Sequence, residues 1–472
     1  MHLFTQLLTI LLAFPTTTTS SNKFNPLHHL GGNSPWFLGP EVTNISSEIP
    51  AGCVVDQAAF FSRHGSRYPD PGAYREWLDL STRIAAGNVT TNSSSLAFLP
   101  SWKPVLQYPE QQIAQLSTTG YKELYDMGAT YRLRYNTLYT YNTPFVMWSN
   151  YYTSSPRVRD SARLFARGFL GPNATELGSI YALNSSVPES FMNSLAPSDL
   201  CPAYTDSGGS PQINTWANIY LPPIQRRLNN LIKGSFQFTQ ADTSIIPYLC
   251  GFETQITGSI SPWCSLFTEE EILQYEYAQD LRYWYGTGLG TDLNKYMMVP
   301  VLAGLVQRFV DGPNTEYNYT DGSKFVPNNL IAAFSNDGQI NQMAAAIGVF
   351  DDEVQLPADE IPEKRLFRAS NVVTMRGTVG FERMSCSTNK DGDDVFLRIR
   401  LNDVVYPVAG CRSGPGESCP LGDYQKIVKN RLERAGDFAN RCNVTNPAIP
   451  RNQSSATFFT NVKLPFGILV KP

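Results

Sequence analysis

The side chains in this sequence best suited to chemistry fall in one run, Arg63-His64-Gly65-Ser66-Arg67-Tyr68-Pro69. An imidazole, available as nucleophile or base, stands between two permanent cations. The planar donor forks of arginine match phosphate oxygens in pairs. Gly65 has no Cβ, so a ligand or a neighbouring backbone can approach it closely. Of four histidines, His2 falls in the N-terminal leader, His28 and His29 follow just after it, and only His64 lies in the remaining body. A solvated loop would also fit the string alone; the isolation of His64 argues against it.

A motif of this kind needs a rigid support. Val54 to Phe61 is an apolar run with the length and the aromatic content of a buried strand. A buried strand delivering charge at its carboxyl end is how open α/β sheets present ligand sites. Two further stretches repeat the pattern of apolar strand, polar turn and helix. Pro144 to Ser149 reads as a second core strand, and its exit Ser155-Pro156-Arg157 predicts a serine cap, a proline at the first helical position and Arg157 in the first turn. An arginine there can face an anion or be an ordinary surface residue, and Arg159 and Arg163 lie close enough to compete. Leu330 to Phe334 reads as a third strand, followed by Ser335-Asn336-Asp337-Gly338 and a helix from Ile340 to Ile347. Asp337 stands where a carboxylate could face the site, or where Asn336 or Asp337 simply caps the helix.

The remaining elements frame these three. Ser117 opens a long helix to about Tyr135, and Thr268 to Glu271 forms a capping box for a helix reaching about Tyr285, whose tyrosines read as core. Residues 171–294 read as helix-rich and strand-poor, hence as an inserted helical subdomain between core segments 45–170 and 295–472. Within the second segment the pattern predicts a helix from Met297 to Val310, strands at Val372 to Thr374 and Phe396 to Leu401, and a hairpin through Asn402-Asp403 into Tyr406. A last helix spans about Tyr424 to Ala435.

Composition narrows the function. A chain of 472 residues, 42% hydrophobic, can bury a large core, and a net charge of −4 carries no basic footprint for nucleic acid. Leu3 to Phe14, with the small polar tract that follows, reads as a signal peptide over residues 1–20. No later run is long enough to span a membrane. Eight dispersed cysteines fit disulfides in an oxidising compartment rather than a metal site. Eight glycosylation sequons, at Asn44, Asn88, Asn92, Asn173, Asn184, Asn318, Asn443 and Asn452, agree with export.

The run from Arg63 to Pro69 matches the Arg-His-Gly-x-Arg-x-Pro signature of the histidine acid phosphatases, and the chain resembles their fungal secreted phytases and acid phosphatases. The likeness continues through Ser261-Pro262-Trp263-Cys264-Ser265-Leu266-Phe267-Thr268, Phe381-Glu382-Arg383-Met384-Ser385-Cys386 and the segment Cys411 to Leu421. The resemblance implies a phosphoglycerate-mutase-like α/β core with a helical subdomain, and a two-step phosphoryl transfer without metal or cofactor. His64 would be the nucleophile, Arg63, Arg67 and Arg157 the phosphoryl clamp, and Asp337 the acid for the leaving group. It further implies the disulfides Cys53–Cys386, Cys201–Cys442, Cys250–Cys264 and Cys411–Cys419, and a role for Glu253 in substrate preference. The expected partner is a small phosphate monoester, phytate being one candidate.

One position departs from the family pattern: Asn336-Asp337 replaces its His-Asp pair. Losing one charge-assisted hydrogen bond costs on the order of 1.5–3 kcal/mol, or roughly 10–100-fold in rate. The expectation is a weakened phosphatase in which Asn336 still donates to the phosphoryl group. The rival is a catalytically silent phosphate-ester-binding glycoprotein; a retaining glycosidase has no motif behind it and leaves the run around His64 unexplained.

Overall fold

Strand β1, Cys53–Arg63, carries the apolar run, with Ala58 to Phe61 fully buried, as a strand covered on both faces must be. In the computed structural model, which describes residues 24–153, 155–389, 392–451 and 454–472, β1 runs through the interior of a nine-stranded sheet. Four strands are parallel: β1, β2 (Phe145–Asn150), β3 (Gly178–Leu183) and β4 (Leu330–Ser335), in spatial order β1-β4-β2-β3. Beyond β1 lie β5 (Thr378–Asn389), β6 (Gly392–Leu401) and β7 (Val404–Tyr406), all antiparallel to their neighbours. The short β8 (Cys419–Pro420) pairs with β6, and β9 (Gly467–Val470) borders β3.

Alternation along β1 divides the core. Ala58 and Phe60 face helices α2 (Thr118–Arg134) and α3 (Arg157–Leu170) through Leu124, Met127 and Phe165. Ala59 and Phe61 face the opposite layer, with α7 (Val299–Asp311), α8 (Asp337–Ala346) and α9 (Leu421–Ala435). Helix α1 (Pro71–Ala86) follows β1 directly. Helices α4 (Ser210–Asn229), α5 (Gln240–Thr257) and α6 (Glu269–Thr287) pack on one another. The mixed α/β architecture is the one anticipated.

Several elements differ from the reading of the sequence. Strand β3 lies within 171–294, the stretch read as strand-poor, yet pairs with β2 along its length. Val372 to Thr374 is not a strand but a buried turn, and the strand begins six residues later at Thr378. Helix α3 starts at Arg157, so Pro156 takes the cap position and no side chain caps the helix. The hairpin at Asn402-Asp403 forms with both residues at positive φ, 43° and 69°, the geometry that matches strand twist in a two-residue loop.

The four disulfides join Cys53–Cys386, Cys201–Cys442, Cys250–Cys264 and Cys411–Cys419, the pairs the resemblance implies. The sequon asparagines at 44, 88, 92, 173, 318 and 443 are exposed and Asn184 is half-buried; Asn452 and the leader 1–20 lie outside the described residues. Among the described residues no helix is long and apolar enough to cross a membrane.

Candidate active site

β1 and β4 are paired up to Arg63 opposite Ser335, so the two chains leave the sheet side by side. His64 is the next residue and is buried. Its amide donates to the Ser335 carbonyl at 3.1 Å, and its carbonyl accepts from the Arg376 amide at 2.8 Å. The ring Nδ1 lies 2.9 Å from the Gly65 carbonyl oxygen. A carbonyl only accepts, so Nδ1 carries the proton and Nε2 keeps its lone pair. Burial, and then Arg157, Arg63 and Arg67, push the His64 pKa well below the usual imidazole range. Each of these influences disfavours the protonated ring.

Arg63 is fully buried, with Nη1 donating to the carbonyls of Gly32 (2.5 Å) and Val373 (2.6 Å). Arg67 lies over the Phe252 ring, 5.3 Å from its centroid, and its Nη2 meets Asp70 at 2.9 Å. Asp70 also holds Arg157 at 3.2 Å, so one carboxylate orients two guanidinium groups. Arg157 is lowered to about 10 by burial and by Arg67, against the pull of Asp70; it remains a cation across the acidic range. The Nε atoms of Arg63, Arg67 and Arg157 are all buried and lack a hydrogen-bond partner. Three orphaned cationic donors around one imidazole suit an anion with several oxygens.

Asp337 opens α8. Its Oδ2 accepts from the Tyr283 hydroxyl at 2.7 Å and lies 3.3 Å from Arg63 Nη2. Burial opposes ionisation, but Arg63, Arg282 and the Tyr283 hydroxyl outweigh it and hold the carboxyl well below the usual carboxylate range. Asn336 sits at the cap position of α8, yet its side chain makes no capping bond and its Oδ1 is buried without a partner. The structure thus brings His64, Arg63, Arg67, Arg157, Asn336 and Asp337 to the carboxyl ends of β1, β2 and β4.

Glu253 is not among them. It is buried, with Trp102 Nε1 and the Ser261 hydroxyl each donating to one of its oxygens at 2.7 Å. The face of α5 that meets the arginines carries Phe252 and Gln255 instead; Gln255 Oε1 accepts from the Arg67 amide at 3.3 Å. Of the competing arginines, Arg159 lies over the Tyr151 ring and Arg163 pairs with Asp160 at 2.7 Å.

Four contributors went unread in the sequence. Asp70 stands three residues after Arg67, a spacing that could have found it. Arg282 and Tyr283 come from a helix read as core. Glu123, on α2, accepts the Ser66 amide (2.7 Å) and hydroxyl (2.8 Å), and so fixes the turn behind His64.

That turn rests on α2 through two glycines. A Cβ on Gly65 would lie 2.8 Å from the Gly120 carbonyl oxygen, and one on Gly120 would overlap the Ser66 carbonyl oxygen. Neither backbone can yield without moving His64. Gly120→Ala is therefore expected to cost about 1–3 kcal/mol of stability by overpacking, read as a lower melting temperature, together with loss of turnover. A variant as stable and active as the parent would refute this packing account.

A cleft of about 770 Å³ opens beside the arginines, walled by α4, α5 and α6 and including Arg67, Asp70 and Arg282.

This geometry agrees with three comparisons. An acid phosphatase of Komagataella pastoris is 30% identical over 93% of this chain and 90% of its own length. Phytase A of Emericella nidulans is 30% identical over 85% of this chain and 87% of its own. The solved phytase of D. castellii superposes with a TM-score of 0.81 at 25% identity, covering 95% of this chain and 93% of that one. The model of the histidine phosphatase superfamily, branch 2, matches residues 54–402, a span that holds both His64 and Asp337, and the chain belongs to that family.

Proposed function

We propose that this protein is a secreted acid phosphomonoesterase that works through a phosphohistidine on His64. The observation that carries the reading is the neutral, tautomer-fixed imidazole ringed by three arginines whose Nε donors are unpaired. In the first step the bound phosphoryl group engages Arg63 and raises the Asp337 pKa, so that Asp337 takes up a proton; His64 Nε2 then attacks phosphorus, the ester P–O bond breaks, and Asp337 gives that proton to the departing oxygen. In the second, water attacks phosphorus, the P–Nε2 bond breaks, and Asp337 takes a proton from that water. Phosphoryl transfer is chiefly positioning and charge stabilisation, and the guanidinium groups supply both. The disulfides, the exposed sequons and the apolar leader support export. We read 171–294 as the subdomain that walls the cleft, although β3 lies in the core sheet.

The experiment is release of inorganic phosphate from p-nitrophenyl phosphate across roughly pH 2–7, with acid-quenched trapping of phosphohistidine. Asn336 favours the second reading, a silent phosphate-ester binder, because the family's histidine is absent there. Asn336→His is expected to raise kcat/KM roughly 10–100-fold. Phosphohistidine trapped only in that variant would establish the silent binder instead.

A further inference from the structure

The walls of the cleft carry a charge balance that bears on the leaving group. Its charged side chains are Arg67, Arg282, Asp70 and Glu76, two of each sign. Asp70 is engaged by Arg67 and Arg157, while the exposed Glu76 makes no ion pair among the described residues. The other polar wall residues include five carboxamides, Asn33, Asn214, Asn218, Gln240 and Gln279. Gln279 Oε1 is buried and lacks a donor.

The cleft shares Arg67, Asp70 and Arg282 with the surroundings of His64 and Asp337, which makes this wall the nearest described space for the rest of an ester held there by one phosphoryl group. Further phosphoryl groups would meet amides and a carboxylate there, with Arg67 and Arg282 the cations among the lining residues. Hydroxyl groups fare better, because each both donates and accepts, as a carboxamide does. A volume of about 770 Å³ is ample for a drug-sized ligand, so charge rather than size sets the limit.

Resting on the phosphomonoesterase reading, we infer that the cleft selects monoesters of uncharged polyols, of the sugar or glycerol type, over esters bearing several phosphoryl groups. The wall discriminates by an unfavourable element, Glu76, at pH values above its ionisation, which burial raises, as well as by the hydrogen bonds it offers.

The test compares kcat/KM for glycerol 2-phosphate and for myo-inositol hexakisphosphate under one pH and salt condition. Wild type is expected to favour the glycerol ester by on the order of tenfold or more. The double variant Glu76→Lys, Asn218→Lys should shift the ratio of the two constants toward the hexakisphosphate by about tenfold, and the shift should shrink as salt is raised. Preference of wild type for the hexakisphosphate, or a ratio unmoved in the double variant, would overturn the inference while leaving the phosphatase reading intact. Hydrolysis of neither ester would sink the phosphatase reading instead. Calorimetric titration of wild type then decides the cleft: hexakisphosphate binding about tenfold tighter than inorganic phosphate rejects a neutral wall, and comparable affinities support it.

Discussion

Replacing His64 by alanine is expected to lower turnover of p-nitrophenyl phosphate by about 10⁴–10⁶-fold while leaving inorganic phosphate bound. The two outcomes separate because burial and the three arginines disfavour a charged imidazole, so the variant loses the proposed nucleophile and leaves the cations in place. Arg63, Arg67 and Arg157 keep their anchors on Gly32, Val373 and Asp70. Water would then have to attack phosphorus directly, without the group whose lone pair is aimed at it. Acid-quenched protein should carry no label from a radioactive ester. If phosphate release survived in His64→Ala, another residue would be the nucleophile and the arrangement around Nε2 would need a different explanation.

Asp337→Asn should have the second-largest effect, and it should depend on the leaving group. Asparagine keeps the shape but has no proton to give. An alkyl ester expels a strongly basic alkoxide and should slow by roughly 10²–10⁴-fold, whereas p-nitrophenolate departs with little help and should slow far less. Equal losses for both esters would remove Asp337 from the role of acid. The pH dependence has a definite sign. In the free protein Arg63, Arg282 and Tyr283 hold the carboxyl ionised. A bound phosphoryl group engages Arg63 and adds negative charge beside Asp337, and both effects raise its pKa. The alkaline limb of kcat, which reports the loaded site, should therefore lie above the ionisation of the free carboxyl. Asp337→Asn should abolish that limb.

The parts of this centre legible in the sequence are those whose burial is uniform. A parallel strand covered on both faces reads as an unbroken apolar run, so β1 and β4 stood out, and the residues just beyond them followed. Helices announced by caps were equally clear: the Ser117 hydroxyl accepts from the Gly120 amide, and Thr268 and Glu271 close a reciprocal capping box. Strand β5 was hidden because it buries charge. Glu382 sits fully enclosed on it, bound to Arg398 at 2.6 Å, Arg400 at 3.0 Å and the Tyr135 hydroxyl at 2.8 Å, so its pattern resembles an exposed segment. The apolar Val372-Val373 nearby attracted the strand reading instead, although its carbonyl at Val373 serves Arg63. Tyr283 and Arg282 could not be found by pattern at all. A helix that fills a core and donates one hydroxyl to a distant carboxylate has the same periodicity as one that only fills a core.

The place of β1 between β4 and β5 also shapes how the chain must come into being. Phe60 and Phe61 emerge early in synthesis, yet the strands that cover their edges end at Ser335 and Asn389. At about 10 residues per second, on the order of half a minute passes before β4 exists. During that interval a long apolar strand has two open edges, the condition under which strands pair with the wrong partner. Cys53 waits still longer for Cys386, with Cys201, Cys250 and Cys264 made in between. Yield of this protein from a host should therefore depend on chaperone and disulfide-isomerase capacity more than on rate of synthesis, and no fragment ending before β5 should show activity.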